Sequence, residues 1–228
     1  MAYTNRAVDE ICSKLDKDGI DFVRFGHASS CDERFAKYLL SNRVADCNNV
    51  SQMRDFIVRT RVFVGTTTAV SSLQRIFTIK RFDLAIVDEA SQILEPSIVG
   101  LLSAVSAVGS EPVCAISKFV LIGDHKQLPA VVAQTEAESR IVEPSLRKLG
   151  FESCSESLFQ RLLRLYHDNA QVVYTLKNHG RMHPDVADFV NRAFYGGNLQ
   201  PIPLEHQSKP LGFGNLPDSG NRLLTSGA

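Results

Sequence analysis

The sequence predicts an α/β fold in which helices flank a parallel β-sheet. Two observations carry this prediction: short apolar runs rich in β-branched and aromatic residues recur along the chain, and segments with helical spacing lie between them. Strands that alternate with helices are typical of units whose strands pair in parallel.

The predicted strands are five apolar runs. They span Phe22 to Phe25, Val62 to Val64, Leu84 to Val87, Phe119 to Ile122 and Val172 to Leu176. Their near-continuous apolarity favours strands that are buried on both faces of the sheet.

Three segments have a clear helical pattern. The first follows a Thr4 cap and the second follows Ser155, while the third opens at Pro184 and ends before Gly196. Proline suits the first helical turn because its missing N–H group is not needed there. The apolar positions are Ala7, Val8, Ile11 and Leu15 in the first segment, Leu158, Phe159, Leu162 and Leu163 in the second, and Val186, Phe189, Val190 and Phe194 in the third.

The composition narrows the class of protein. The chain is 44% hydrophobic and 22% charged, and it has no unbroken apolar run long enough for a membrane span and no signal peptide. Its 5 cysteines form no CxxC pair, so a disulfide framework and a zinc ribbon are disfavoured and a cytoplasmic, reducing setting is expected. With 25 basic and 25 acidic residues, any binding of nucleic acid requires a local groove.

Polar residues follow three of the predicted strands directly. They are Gly65 with Thr66 to Thr68, Asp88 with Glu89, and Gly123 with Asp124. Because the carboxyl ends of parallel strands form the ligand crevice of an open sheet, we expect these residues to lie along one rim.

The Asp88-Glu89 pair matches the pattern by which nucleotide hydrolases place one acid beside Mg²⁺ and a second acid beside water. A solvated strand end is the alternative interpretation. In the next segment, Asp124 can accept a hydrogen bond from backbone or ligand water, and the amide of Gln127 can bond a terminal phosphate oxygen or the attacking water. There the alternative is a surface turn.

Several segments together resemble superfamily 1B helicases, a group that includes the nonsense-mediated-decay RNA helicases, the senataxin-like helicases and the replication helicase-nucleases. The resemblance covers roughly residues 2 to 200 in the order of the family. It is carried by AYTNRAVDEI from residue 2, GTTTAVSS from 65, VDEASQ from 87, GDHKQLP from 123, SLFQRL from 157 and GRMHPDVADFVNRAFYGGNL from 180.

The resemblance implies ATP and Mg²⁺ as cofactors and assigns roles at the nucleotide site. Asp88 would hold Mg²⁺, Glu89 would activate water and Gln127 would sense the terminal phosphate. Gln92 belongs to the DExxQ signature, although it can equally be a structural hydrogen-bonding residue. Arg181 would be the arginine contributed by the second lobe, with a surface salt bridge as the alternative. His179-Gly180 stand where the family often has Gln-Tyr.

Two further segments match family positions that contact the nucleic-acid backbone, and they comprise Thr4, Asn5 and Arg6 and then Thr66, Thr67 and Thr68. Hydroxyls, amides and helix N-termini suit phosphate contacts that ignore base sequence, although Thr4 and Asn5 can also simply cap a helix. His179 and His183 are four residues apart, but Pro184 breaks a zinc-binding helical geometry, so both histidines are interpreted as structural.

The sequence contains no GxxxxGK[ST] loop. In the family this loop lies before residue 2, so we expect the chain to be a piece of a longer protein and to be inactive alone. Residues 1–170 are expected to form a truncated RecA-like lobe of the P-loop NTPase type, and residues 171–228 to begin a second RecA-like lobe with a loop-rich tail from Gln200.

The predicted function is therefore that of an ATP-dependent helicase or translocase on single-stranded DNA or RNA, with the remainder of the parent chain as partner and no membrane. A degenerate, non-catalytic scaffold is the alternative. Backbone contacts do not separate DNA from RNA. A cytoplasmic location is expected, or a nuclear one in a eukaryote.

Overall fold

The computed structural model describes residues 1–109 and 111–209. The chain divides into two compact units, Met1–His167 (unit 1) and Asp168–Ala228 (unit 2). The division falls near position 170, while the assignment of the units to two RecA-like lobes stays a prediction.

Helices and short strands alternate along the described residues. The strands are β1 Val23–Arg24, β2 Phe63–Val64, β3 Phe82–Val87, β4 Val105–Ser106, β5 Val113–Cys114, β6 Ile116–Leu121, β7 Asn178–His179 and β8 Gln200–Pro201. The α-helices are α1 Asn5–Lys17, α2 Leu40–Arg43, α3 Val50–Arg59, α4 Thr67–Ser72, α5 Glu95–Leu102, α6 Glu136–Ser139, α7 Pro144–Lys148, α8 Leu158–Tyr166, α9 Pro184–Phe194 and α10 Glu205–Ser208. Short 3₁₀ turns cover Ala28–Ser30, Glu33–Tyr38, Gln74–Thr78 and Ala90–Gln92.

Most of the strand pairs in the described residues are parallel. β1 pairs with β2, and β3 pairs with β6 in a register that runs from Phe82 opposite Ile116 to Val87 opposite Leu121. β4 and β5 form a small antiparallel pair. Small parallel ladders among helices fit the predicted α/β fold.

Met1 and Ala2 lie between the two parallel ladders of unit 1. The Ala2 N–H group donates to Gly65 O at 3.2 Å, and the Ala2 carbonyl accepts from the N–H group of Thr67 at 3.2 Å. On the other side, the Met1 carbonyl accepts from the N–H group of Asp88 at 2.8 Å. The backbone of these two residues therefore joins the end of β2 to the end of β3.

The prediction of strands buried on both faces is wrong for β3 and β6. Leu84, Ile86, Val120 and Ile122 keep 47%, 49%, 43% and 44% of their surface exposed. These residues alternate with the core-facing positions, and no described element covers them. In β1, by contrast, both residues are buried.

The predicted strand from Val172 to Leu176 is also wrong. This segment pairs with no strand among the described residues, and Val172, Tyr174 and Leu176 are 66%, 87% and 73% exposed. Two residues farther on, β7 pairs in parallel with β8. An apolar run becomes a strand only where a partner edge satisfies its backbone groups. Of the predicted loop-rich tail, Gln200 to Lys209 contain β8 and α10, and residues 210–228 lie outside the described residues.

The three predicted helices are confirmed, with one correction to a cap. The Thr4 hydroxyl accepts from the Ala7 N–H group at the start of α1. Helix α8 is capped by Ser157 instead of Ser155, because Ser157 and Gln160 form a reciprocal capping box. Helix α9 opens with Pro184 and ends at Tyr195 before Gly196, which has a φ of 60°.

Unit 1 contains a fully buried cation, Arg24 on β1. Its Nε donates to Asp9 Oδ1 at 3.1 Å and its Nη2 donates to Ser30 O at 3.1 Å. Nη2 also lies 2.9 Å from Asp9 Oδ1, whereas Nη1 is buried without a partner among the described residues. The Asp9 carboxylate is thus the counter-charge that makes burial of Arg24 tolerable.

We expect Asp9→Ala to destabilise the chain by about 3 kcal/mol, because the substitution leaves the Arg24 charge buried and unpaired. The measurement is urea unfolding of the 228-residue chain. Glu10→Ala is the matched control on the same helix, since within residues 1–109 and 111–209 the ion-pair partner of Glu10 is the exposed Arg6 at 3.8 Å, and it should leave the midpoint near that of the unaltered chain. Equal midpoints for the two variants would contradict the assignment of Asp9 as counter-ion.

Candidate nucleotide site and nucleic-acid segments

The pairing of β3 with β6 brings two polar loops to one edge of unit 1. Val87 and Leu121 are opposite each other at the carboxyl ends of the strands. Beyond the ladder, the Ile122 N–H group donates to Val87 O, and the Ala90 N–H group donates to Ile122 O, both at 2.8 Å. The Asp88-Glu89 loop and the loop that starts at Gly123 are therefore held side by side.

Gly123 is the point of closest approach between the two loops. A Cβ atom at this position would lie 2.8 Å from the backbone nitrogen of Ser91 and 3.2 Å from its Oγ. The same Ser91 hydroxyl accepts from the N–H group of Asp124 at 3.3 Å. Glycine at 123 and a small hydroxyl residue at 91 set the spacing of the loops. The role of Ser91 was not predicted. Its signal in the sequence is that it is a small polar residue inside VDEASQ.

Asp88 has the features that a Mg²⁺ ligand requires. The residue is half-buried, its Oδ1 accepts from the N–H group of Glu89 at 3.0 Å, and its backbone N–H group is bonded to Met1. Oδ2 makes no hydrogen bond to the described residues. In nucleotide sites Mg²⁺ is typically held by one or two carboxylates together with waters and phosphate oxygens, so a single oriented carboxylate at a strand end fits this ion.

Glu89 adopts a strained backbone conformation. Its φ of 53° and ψ of 37° are left-handed, and it is the single non-glycine residue with positive φ in the described part of the chain. Its Oε2 accepts from Nε2 of Gln92 at 3.3 Å. Strained residues of this kind are concentrated at functional sites. Gln92 therefore makes a hydrogen bond to the predicted catalytic acid, and its role in nucleotide binding stays a prediction.

The loop after β6 is organised by Asp124. Its Oδ1 accepts from the N–H group of Lys126 at 3.0 Å, and its Oδ2 accepts from Nε2 of Gln127 at 2.9 Å. Gln127 is exposed, and among the hydrogen bonds of the described residues its amide uses the nitrogen and not the carbonyl oxygen. In the same loop, partial burial and the charge of Lys126 lower the pKa of His125. The loop thus presents an oriented amide beside a histidine that favours its neutral form.

The two predicted nucleic-acid segments start next to each other. Ala2 forms a parallel bridge with Thr66, so the N-termini of α1 and α4 follow from adjacent backbone positions. Thr66 caps α4 by accepting from the Ala69 N–H group at 3.1 Å, as Thr4 caps α1. Thr4, Asn5, Arg6 and Thr68 are exposed, whereas Thr67 is only 3% exposed. The accessible groups are therefore those at the two helix starts, and the prediction that Thr67 contacts nucleic acid conflicts with its burial.

Arg181 lies in unit 2, between β7 and α9. Its side chain is exposed and makes no hydrogen bond or ion pair with the described residues. After it, His183 caps α9, because its Nδ1 accepts from the N–H group of Asp185 at 3.3 Å. His183 therefore has the structural role that the sequence indicated. Its neighbour His179 keeps a buried Nδ1 without a partner in the described ranges.

Unit 1 also contains an ion pair that the sequence did not predict. Arg161 on α8 donates from Nε to Glu95 Oε2 at 2.8 Å and from Nη2 to Glu95 Oε1 at 2.5 Å. Its Nη1 donates to Leu149 O at 2.8 Å, and its guanidinium lies 4.2 Å from the Phe151 ring centre. This nearly buried pair fixes α8 to the start of α5, three residues after Gln92. Residues 66 positions apart give no local signal of such a pair.

We expect Glu89→Gly to give a more stable chain than Glu89→Ala, by about 1 kcal/mol, because only glycine adopts the left-handed conformation without steric cost. Both substitutions remove the carboxylate and its bond to Gln92, so they differ only in the methyl group. Urea unfolding of the two variants measures the difference. If position 89 had an ordinary backbone conformation, Glu89→Ala would be the more stable variant. A more stable Glu89→Ala would therefore contradict the left-handed geometry at Glu89.

Gly123→Ala should cost about 1–3 kcal/mol, because the added methyl meets the backbone of Ser91. Gly100→Ala is the control: its Cβ would lie 3.5 Å from Gln74 Nε2, and alanine inside α5 should leave stability equal or raise it by up to about 1 kcal/mol. Thermal or urea unfolding of both variants provides the comparison. A tolerated Gly123→Ala would show that the two loops are not in close contact.

Residues 48–135 match one protein family and residues 154–221 match another, and each family is described as an AAA domain. The first match includes the Asp88-Glu89 and Asp124 to Gln127 loops, and the second includes Arg181.

Similar curated proteins are replication enzymes. The chain is 32% identical over 201 residues to the DNA replication ATP-dependent helicase/nuclease DNA2 of Xenopus laevis, which covers 87% of this chain and 16% of that protein. It is 30% identical over 198 residues to the DNA replication ATP-dependent helicase/nuclease JHS1 of Arabidopsis thaliana, covering 87% of this chain and 13% of that protein. The DNA2 protein of Saccharomyces cerevisiae is 31% identical over 180 residues, or 78% of this chain and 11% of its own length.

The chain thus spans less than a fifth of the length of these relatives. Within the described residues, no helix combines the length and the apolar character that crossing a membrane requires. The two domain matches and the helicase/nuclease relatives together support the assignment of this chain to the superfamily 1 helicases.

Proposed function

We propose that this chain forms part of an ATP-driven motor that moves along single-stranded DNA within a longer helicase. The observation that carries the proposal is the convergence of two polar loops at the carboxyl ends of β3 and β6, tied through Ser91 and Gly123. Ligands of open parallel sheets bind at this edge.

Each polar residue at this edge receives a role in hydrolysis. Asp88 holds Mg²⁺, and Glu89 orients the attacking water and accepts its proton. Gln127 bonds the terminal phosphate or the water, with Asp124 fixing its amide. Gln92 steadies the Glu89 carboxylate. When bound, ATP supplies the phosphoryl group to be transferred, and its metal ion neutralises charge on the phosphates.

Arg181 is proposed to stabilise the charge that redistributes over the terminal phosphate. A guanidinium is permanently charged and its planar fork matches phosphate oxygens. Its lack of a protein partner among the described residues supports this role, because a structural salt bridge would already occupy it.

The proposed DNA contacts are the helix starts that carry Thr4, Asn5, Arg6, Thr66 and Thr68, with the buried Thr67 supporting the turn. Backbone amides at helix N-termini favour phosphate groups whatever the base sequence. DNA is preferred over RNA because the relatives are named as DNA replication enzymes. In a eukaryotic cell this role would place the protein in the nucleus.

The proposal includes a partner, the remainder of a longer chain. The 228 residues contain no GxxxxGK[ST] loop, while the relatives are several times longer. A phosphate-binding loop supplied by the parent would complete the site, and parent residues would cover the apolar face formed by Leu84, Ile86 and Val120. A non-catalytic scaffold is the less favoured alternative, since it would require neither the strained Glu89 nor an Arg181 without a partner among the described residues.

We expect Glu89→Gln in the full-length protein to lower DNA-stimulated ATP hydrolysis by roughly 10²- to 10⁴-fold, because the amide cannot accept the proton of water. Arg181→Ala should lower it by about 10³-fold, and Arg181→Lys should restore little because lysine lacks the planar fork. Nucleotide affinity should persist in all three variants. Steady-state phosphate release and nucleotide titration measure these quantities.

Two exposed residues provide matched controls. Glu136→Gln at the start of α6 and Arg192→Ala on α9 make the same chemical changes away from the proposed site. Both should keep the rate of the unaltered protein, and the isolated 228-residue chain should show no turnover. Near-normal hydrolysis by Glu89→Gln and Arg181→Ala would refute the motor function.

A further inference from the structure

The loop that presents Arg181 is held by the short helix α10, which follows it by more than twenty residues. Gln207 is only 4% exposed. Its Nε2 donates to His179 O at 3.1 Å and to Met182 O at 2.8 Å. The two hydrogens of one side-chain amide therefore bracket Gly180 and Arg181.

A second residue of α10, His206, fixes the carbonyl of Gly180, which lies between His179 and Met182 in the chain. His206 Nε2 lies 2.8 Å from Gly180 O, and because a carbonyl only accepts, the imidazole donates. The carbonyls of residues 179, 180 and 182 thus all accept from α10. The His179 carbonyl uses its other lone pair for the N–H group of Ile202, within the pairing of β7 and β8.

Gly180 allows the loop to pack closely on the residue before α10. A Cβ atom at this position would lie 3.1 Å from Leu204 Cδ1. The backbone on both sides of Arg181 is therefore fixed by hydrogen bonds and by packing, while the guanidinium itself is exposed and has no partner among the described residues. A rigid backbone that carries an unpaired cation is the arrangement expected of a pre-positioned binding group.

We propose that Gln207 is a positioning residue for Arg181, assisted by His206. This inference rests on the proposed function of Arg181 as a phosphate-stabilising group. Gln207 is buried, so its role is to hold the loop and not to contact a ligand. It acts by fixing the backbone on both sides of Arg181, which orients the guanidinium for its proposed role.

The test is a double-variant cycle in the full-length protein, with DNA-stimulated ATP hydrolysis as readout. Gln207→Leu keeps a buried side chain of similar size but donates no hydrogen bond. It should lower kcat by about 10- to 100-fold, the effect expected of a small misplacement, and change KM for ATP by less than about 3-fold. In the Arg181→Ala background it should change kcat by less than about 2-fold, because residues that act through one group are not additive.

Three further variants distinguish the possible causes of a lower kcat in Gln207→Leu. Gln200→Leu changes an exposed glutamine of β8 and should leave kcat unaltered. His206→Ala removes an exposed donor to Gly180 without emptying a buried site, so it should fold normally and lower kcat several-fold, by roughly 2- to 10-fold. Gln207→Glu keeps the shape but places a carboxylate against two carbonyls, and it should be at least as damaging as Gln207→Leu.

The outcomes separate this inference from the proposed function. A near-normal rate for Arg181→Ala would refute the function of Arg181 and this inference with it. If Arg181→Ala is slow while Gln207→Leu and His206→Ala are both normal, the function stands and the positioning role is wrong. If Gln207→Leu lowers kcat equally in both backgrounds, it acts through general stability, which also overturns the positioning role.

Discussion

The candidate site depends on one constraint, the parallel pairing of β3 with β6 in a fixed register. Because Val87 lies opposite Leu121, the chain leaves both strands at the same level. The bonds from Ile122 to Val87 and from Ala90 to Ile122 extend this pairing into the two loops. A shift by one residue would turn the alternate side chains of one strand to the other face and separate Asp88 from the loop of Asp124. The chemistry proposed for this edge is thus a consequence of strand register.

The two loops that follow β3 and β6 are held in conformations that cost free energy. Glu89 takes up a left-handed backbone, and Gly123 accepts a contact with Ser91 that no side chain would fit. Conformational strain persists only where surrounding interactions determine it, and here the Ser91 hydroxyl and the Asp88 carboxylate provide those interactions. Unit 2 uses the opposite arrangement around Arg181. There the described loop residues 180–183 have no positive φ, and the restraint comes from outside the loop, through the buried amide of Gln207.

Much of this arrangement follows from local sequence pattern. The helices at Asn5, Leu158 and Pro184 were predictable because capping residues and apolar spacing are local signals, and the placement of Asp88, Glu89, Asp124 and Gln127 after strands followed from the apolar runs before them. The segment from Val172 to Leu176 failed because a β-rich composition says nothing about a partner edge. The burial of β3 and β6 was overestimated, since a strand's apolar run does not reveal which of its faces the rest of the chain covers. The pair of Glu95 with Arg161 and the bonds from Gln207 to the carbonyls of His179 and Met182 join distant positions, and a single sequence contains no record of such contacts.

Met1 and Ala2 link the proposed nucleotide site of unit 1 to its proposed DNA-contacting helix starts. The carbonyl of Ala2 accepts from the N–H group of Thr67, at the start of a proposed DNA-contacting helix, and the carbonyl of Met1 accepts from the N–H group of Asp88, the proposed Mg²⁺ ligand. The two acceptors thus belong to consecutive residues, and Tyr3 alone separates Ala2 from the Thr4 cap of α1. A displacement of the α1 and α4 starts by a bound strand would have to move this backbone or break one of its bonds. Because hydrogen-bonded backbone of this kind is stiff, Met1 and Ala2 form a direct physical link between the proposed strand-contacting helix starts and the proposed Mg²⁺ ligand.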